Sequence, residues 1–255
     1  MNNSIKINQK IRPYNTKIII DGDKSLSIRW VLLASQAIGK SKAYKLLKSE
    51  DVMSAIICLK KLGVKVKIKK EYCEIIGKGI NGYNYKKNLT LNAGNSGTLG
   101  RLLLGLLIHS KNKIKIIGDK SLSKRDFSRV IEPLSKFGAK FYSNKNNKLP
   151  LTIAGTESPK PIIYNEEKGS AQCKSSVMLA ALNTPGLTQI RAKKSRNHSE
   201  LLFKYLKLPI KIRKTKKYDF IKIRGKKDIK PFNYQIPSDI SSSAFFIVLT
   251  ALSKS

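Results

Sequence analysis

"LKKLGVKVKI" (residues 59–68) reads as the end of a helix followed by a strand of alternating side chains. The same passage returns as "LSKFGAKF" (134–141) and as "YLKLPIKI" (205–212). Each copy leads into a second strand that ends in glycine: "CEIIG" (73–77), "LTIAG" (151–155) and "IKIRG" (221–225). Self-similarity of this kind marks a structural unit used more than once.

Upstream of each hairpin the pattern extends. A strand comes first, "TKIII" (16–20), "NLTLN" (88–92) or "KPIIY" (160–164), then a Gly/Ser-rich turn. An apolar helix follows, "SLSIRWVLLASQAI", "GTLGRLLLGLLIH" or "AQCKSSVMLAALN". Then come a strand ("KAYKLL", "KIKIIG", "LTQIRA") and an amphipathic helix ("DVMSAIICLKKL", "KRDFSRVIEPLSKF", "RNHSELLFKYL"). The predicted fold is therefore α/β (α+β), a β-α-β-α-β-β unit used three times over about 15–78, 88–156 and 160–226. The first helix of each unit is apolar on most faces and should be buried at the centre, and the second should lie on the surface. Pro133 inside the second such surface helix predicts a kink or a late start.

The three units make one complete domain, 15–228, with "KKDIKPFNYQ" (226–235) as a polar linker behind it. "IPSDISSSAFFIVLTALSKS" then begins a fourth strand-turn-helix cycle. Residues 1–14 and 229–255 are expected to be parts of a second domain, mostly absent from this chain.

Composition narrows the function. With 255 residues and 41% hydrophobic content the chain is globular rather than disordered. No apolar run approaches the roughly 18 residues of a membrane span, and the N-terminus has no apolar signal core. The expected setting is the cytoplasm. Cys58, Cys73 and Cys173 match no metal spacing and read as small buried hydrophobes; no metal and no cofactor are expected. The net charge of +35 comes with abundant Lys, Ile and Asn, the mark of an AT-rich genome, and only nine of 51 basic residues are Arg. A solvated basic surface, a nucleic-acid-binding module and a site for anionic small molecules all fit that charge. No helix-turn-helix, RNA-recognition or zinc-finger signature accompanies it.

"GDKSLSIR" (22–29) and "GDKSLSKR" (118–125) agree at seven of eight positions, yet the first opens a buried helix and the second a surface helix. Duplication of the unit does not explain that match; a shared chemistry does. The buried helices open at Asp23-Lys24-Ser25, Asn95-Ser96-Gly97-Thr98 and Ser170-Ala171-Gln172. Helix starts offer free N–H groups and partial positive charge to phosphate or carboxylate. Glycine lets a ligand approach the backbone, and three such starts could share one face. Arg29, Arg125 and Arg196 stand beside helix starts, and Arg29 lies in an otherwise apolar helix where an unpaired charge is costly. His109 and His198 read as helix-terminal packing or capping residues.

At these residues the sequence resembles the 5-enolpyruvylshikimate-3-phosphate synthases, a family of enolpyruvyl transferases. "GDKSLSIR", "GNSGTLGRL", "GDKSLSKR", "GSAQCKS" and "SRNHSE" resemble its motifs in their order. Asp21 stands where the family usually has Pro before the first motif, and Leu102 where many members have Pro. The resemblance implies transfer of the enolpyruvyl group of phosphoenolpyruvate to the 5-hydroxyl of shikimate 3-phosphate by a monomeric enzyme. Lys24 would touch both substrates and act in catalysis. Ser25 and Arg29 would hold the shikimate carboxylate and ring; Ser170, Ala171, Gln172 and Arg196 would hold the 3-phosphate. Asn95, Gly97 and Arg125 would hold phosphoenolpyruvate, with Gln172 nearby. The family's acid/base Asp and Lys match nothing in this chain, so no turnover is expected from it alone. A sibling transferase acting on UDP-N-acetylglucosamine is the alternative. It would need Lys-Asn where this chain has Lys24-Ser25, and a Cys-bearing loop at the second basic motif.

Overall fold

Three four-stranded sheets with one common strand order enclose three buried helices in the computed structural model, which describes residues 14–144 and 146–253. The first unit comprises α1 (Lys24–Gln36), β1 (Ile38–Tyr44), α2 (Glu50–Lys61), β2 (Lys65–Ile68) and β3 (Tyr72–Lys78). The second comprises β4 (Leu89–Asn92), α3 (Gly97–Leu106), β5 (Ile114–Ile117), α4 (Ser128–Lys136), β6 (Lys140–Ser143) and β7 (Leu151–Ala154). The third comprises β8 (Ile163–Glu166), α5 (Ala171–Leu182), β9 (Leu187–Lys193), α6 (His198–Tyr205), β10 (Ile210–Lys214) and β11 (Tyr218–Arg224). The chain continues into β12 (Asn233–Gln235) and α7 (Ile240–Leu252).

The sheets run β12-β1-β3-β2, β4-β5-β7-β6 and β8-β9-β11-β10. In each, the first pair is parallel and the others are antiparallel. The predicted helices and hairpins are present, and α1, α3 and α5 are the buried ones. Every residue of α1 from Leu26 to Gln36 is buried, polar ones included. Gly105 lets α3 and α5 approach, since a Cβ there would fall 2.1 Å from the Ser176 carbonyl oxygen. Gln36 Nε2 donates to Asn183 Oδ1 at 3.0 Å, joining the end of α1 to that of α5.

The glycine that closes each hairpin has one job in all three units. A Cβ on Gly77 would lie 2.3 Å from the Ala34 oxygen and 2.2 Å from that of Ala37, just past α1. On Gly155 it would meet the Ile108 oxygen at 2.7 Å, beyond α3, and on Gly225 the Thr184 oxygen at 1.8 Å, beyond α5. The end of each buried helix thus abuts bare backbone.

Three expectations need correction. Residues 16–20 form no strand; the first sheet takes its opening strand from β12, whose Asn233–Gln235 pair with Lys42–Tyr44. The stretch 226–235 is therefore no linker. Ile229 and Ile236 are buried and Phe232 packs edge-on to Trp30 with ring centroids 6.2 Å apart, so the assignment of everything after 228 to another domain is too early. The chain leaves this body by a paired crossing at Gly22 and Ser238, where Asp23 N donates to Pro237 O and Asp239 N to Asp21 O. The second "GDKSLS" copy opens a 3₁₀ turn at Leu122–Lys124 rather than α4, which starts late, at Ser128, with Pro133 inside it.

Residues 1–13 of the expected N-terminal segment lie outside the described residues. Tyr14 hydrogen-bonds Thr250 at 2.6 Å, and no residue of α7 is buried. Among the described residues no helix is long and apolar enough to cross a membrane. The three cysteines are free and buried, with burial pushing the Cys58 and Cys73 thiols up to about 11.

Candidate active site

The starts of α1, α3 and α5 open onto one cavity of about 350 Å³. Ser25, Thr98 and the run Ser170-Ala171-Gln172 supply its three helix-start walls, and Ser195, Arg196 and His198 come from the entry to α6. Arg29 also lines it, reaching out from α1. Six residues singled out in the sequence, Ser25, Arg29, Ser170, Ala171, Gln172 and Arg196, are therefore neighbours although they span the chain.

Local chemistry fixes the helix starts. Asp23 caps α1 by accepting from Leu26 N at 2.7 Å, and Ser96 and Ser170 cap α3 and α5 in the same way. Asp119 accepts from Leu122 N at the same 2.7 Å. The two "GDKSLS" copies thus encode one capped turn in which the leucine three residues on is buried. Their glycines serve packing: a Cβ on Gly22 would sit 2.0 Å from the Lys45 oxygen, and one on Gly118 2.7 Å from Leu122 Cδ2.

A second cluster adjoins the cavity at Thr98. A Cβ on Gly97 would lie 2.9 Å from Arg101 Nη1 and 3.0 Å from Arg125 Nη1, so two guanidinium groups crowd the first turn of α3. Asn95 is turned toward Asp119, donating from Nδ2 to Oδ2. Hydrogen bonds from Leu122 N and Asn95, with Arg125 close by, hold the Asp119 carboxyl below its ordinary range. Gln172 bridges the clusters, donating from Nε2 to Thr98 Oγ1 at 3.0 Å and accepting at Oε1 from Arg101 Nη1 at 3.1 Å. Lys24 stands apart from the cavity wall, with its ammonium 3.1 Å from Asp51 Oδ2.

Thr98 belongs to a helix start read from the sequence, whereas Arg101, Ser195 and the site position of His198 were not foreseen. Arg101 donates to the Gly97 and Asp126 carbonyls as well as to Gln172, and stacks over Phe127 at 4.9 Å. It interrupts an apolar helix as Arg29 does, and the cost argument applied to Arg29 would have found it. Burial lowers the Arg29 pKa to about 10, partly offset by Glu200, so it stays charged at neutral pH. Burial and the neighbouring Arg29 charge lower that of His198, in favour of the neutral imidazole. The cavity presents cations, hydroxyls, amides and helix N–H groups, an environment for a small molecule with several negative charges.

A family model described as EPSP synthase (3-phosphoshikimate 1-carboxyvinyltransferase) matches residues 8–255. The chain belongs to the EPSP synthase family. A 3-phosphoshikimate 1-carboxyvinyltransferase of Petrotoga mobilis is 39% identical over 244 residues, which cover 94% of this chain and 55% of the relative. That of Ruthia magnifica is 41% identical over 235 residues, covering 91% and 52%. A solved structure of EPSP synthase from Acinetobacter baumannii superposes with a TM-score of 0.83 at 32% identity, covering 91% of this chain and 52% of that one. The chain spans about half the length of the EPSP synthase relatives it matches. The matched family model and these relatives are EPSP synthases, which does not favour the UDP-N-acetylglucosamine-directed alternative.

Proposed function

We propose that this chain carries the shikimate 3-phosphate site of an enolpyruvyl transferase, in a cytoplasmic and monomeric setting. The observation that carries the reading is the convergence of three helix starts with Arg29 and Arg196 on one cavity. Ser25 and Arg29 bind the ring carboxylate. Ser170, Ala171, Gln172 and Arg196 bind the phosphate, through helix N–H groups, polar side chains and the Arg196 fork. The neighbouring Asn95, Gly97 and Arg125 cluster binds phosphoenolpyruvate, with Gln172 between the two ligands. Lys24 reaches both once it exchanges Asp51 for an anionic ligand.

The reaction joins the 5-hydroxyl oxygen of shikimate 3-phosphate to C2 of phosphoenolpyruvate and breaks the bond from C2 to the phosphate oxygen. One proton enters at the methylene carbon and is later lost, and phosphate departs. Residues of this chain bind and orient the anions; the acid and base are assigned to no residue here. Tyr14 on Thr250 and the unburied α7 support the view that residues 1–14 and the stretch after the paired crossing belong to a second unit.

Calorimetric titration with shikimate 3-phosphate tests the reading. Binding by the wild-type chain that Arg29→Ala and Gln172→Ala each weaken at least about tenfold supports it. Equal binding by all three defeats the assignment.

A further inference from the structure

Arg29 is only 5% exposed, in a helix that otherwise buries mostly apolar side chains. Its direction depends on two hydroxyls from other helices. Nε donates to Ser199 Oγ on α6 at 2.8 Å, and Nη2 donates to Ser175 Oγ on α5 at 3.0 Å. Ser199 donates its own proton to Ser175 Oγ at 2.7 Å, so the two oxygens form one acceptor pair along an edge of the guanidinium. Nη1 donates to the Ser25 carbonyl at 3.0 Å. A guanidinium has five N–H groups in one plane. Three are held by the protein, and two remain for the cavity that Arg29 lines.

The hydroxyl pair has a rigid backing. Lys174, next to Ser175, and Glu200, next to Ser199, form an ion pair at 2.5 Å with both side chains buried. That pair ties α5 to α6 through the residues next to the two serines.

We propose that Ser175 and Ser199 are positioning residues: they fix the plane of Arg29 so that its two free N–H groups meet a ligand carboxylate together, and so give the site its preference for a carboxylate over a neutral group. The proposal rests on the shikimate 3-phosphate reading of the cavity. Apolar helix packing by itself would need neither hydroxyl, since alanine keeps the Cβ and removes only Oγ.

The test compares the wild-type chain with Ser175→Ala, Ser199→Ala and Ser199→Thr, the last keeping its hydroxyl. Each is titrated with shikimate 3-phosphate and with its carboxamide analogue. The Nε–H resonance of Arg29 is followed by nitrogen-15 NMR without ligand. The expected result is about tenfold weaker binding of the carboxylate ligand by each alanine variant, with the carboxamide changed less than about twofold. The Arg29 resonance should shift or exchange away in the alanine variants and return in Ser199→Thr. Alanine variants that bind the carboxylate ligand like wild type, or that lose both ligands equally, overturn the proposal. So does an Arg29 resonance that ignores both alanines. A wild-type chain that binds neither ligand defeats the reading of the cavity instead, and the resonance then decides by itself whether the serines hold Arg29.

Discussion

The ammonium of Lys174 lies 2.5 Å from Oε1 of Glu200, and neither side chain is more than 4% exposed. Neither has another hydrogen-bond partner among the described residues. Two charges taken out of water stabilise little as a pair but cost heavily when one is left alone. Glu200→Gln and Lys174→Met should each destabilise the fold by about 3–5 kcal/mol. The double change Lys174→Met/Glu200→Leu should recover most of that loss. Urea midpoints of the four proteins check this; equal losses in single and double variants would contradict it.

The backbone contact at Gly225 predicts intolerance of any side chain. Gly225→Ala should destabilise by about 2–3 kcal/mol because the methyl group must displace the Thr184 carbonyl. Gly77→Ala and Gly155→Ala should behave alike, because their neighbours are also main-chain atoms. A melting temperature unchanged in any of the three would show that the helix end can yield.

Acid should weaken the fold before the carboxylates titrate. Burial lowers the pKa values of His198 and His109 from the ordinary 6.5. The unfolded chain therefore takes up protons first, and stability falls as pH drops from 6.5 toward the folded-state values. Urea midpoints at pH 7.5 and pH 5.5 should differ in that sense, by less in His198→Gln. An anion in the cavity favours the protonated imidazole, so binding near neutral pH should take up protons, visible as a buffer-dependent heat.

The repeated capped turn gives a paired prediction. Asp23→Ala should cost about 1 kcal/mol, through loss of the bond to Leu26 N. Asp119→Ala should be milder, since its carboxylate is exposed, but should free Asn95 from its partner. Phosphoenolpyruvate binding, where it is measurable, should respond to the second change more than the first.

Periodicity carried most of the fold. The hairpins and the contrast between buried and surface helices were legible because each is a local pattern of apolar spacing, repeated at intervals that expose one another. What could not be read was long-range exchange. "TKIII" has every local mark of a strand, yet β12 takes its place, because pairing with β1 is decided by which segment the crossing at Gly22 and Ser238 brings alongside. The site was legible where residue type was costly in context, as with Arg29. It was not legible where a residue acts through a partner. Ser175 and Ser199 are unremarkable in sequence and meet only because α5 and α6 pack. Lys174 sits among apolar residues as Arg29 does, and the same reasoning would have asked for its counter-charge.

The pairing of β12 with β1 also sets an order on assembly. Ser41 and Phe232 are 191 positions apart. During synthesis the earliest-made sheet must therefore stand with an open flank while the second and third modules are translated and collapse. The first sheet gains its fourth strand only once residues 233–235 have been made. The opening module is finished after the third, and until then the nascent chain has a bare strand margin to which a chaperone, or a neighbouring nascent chain, could attach.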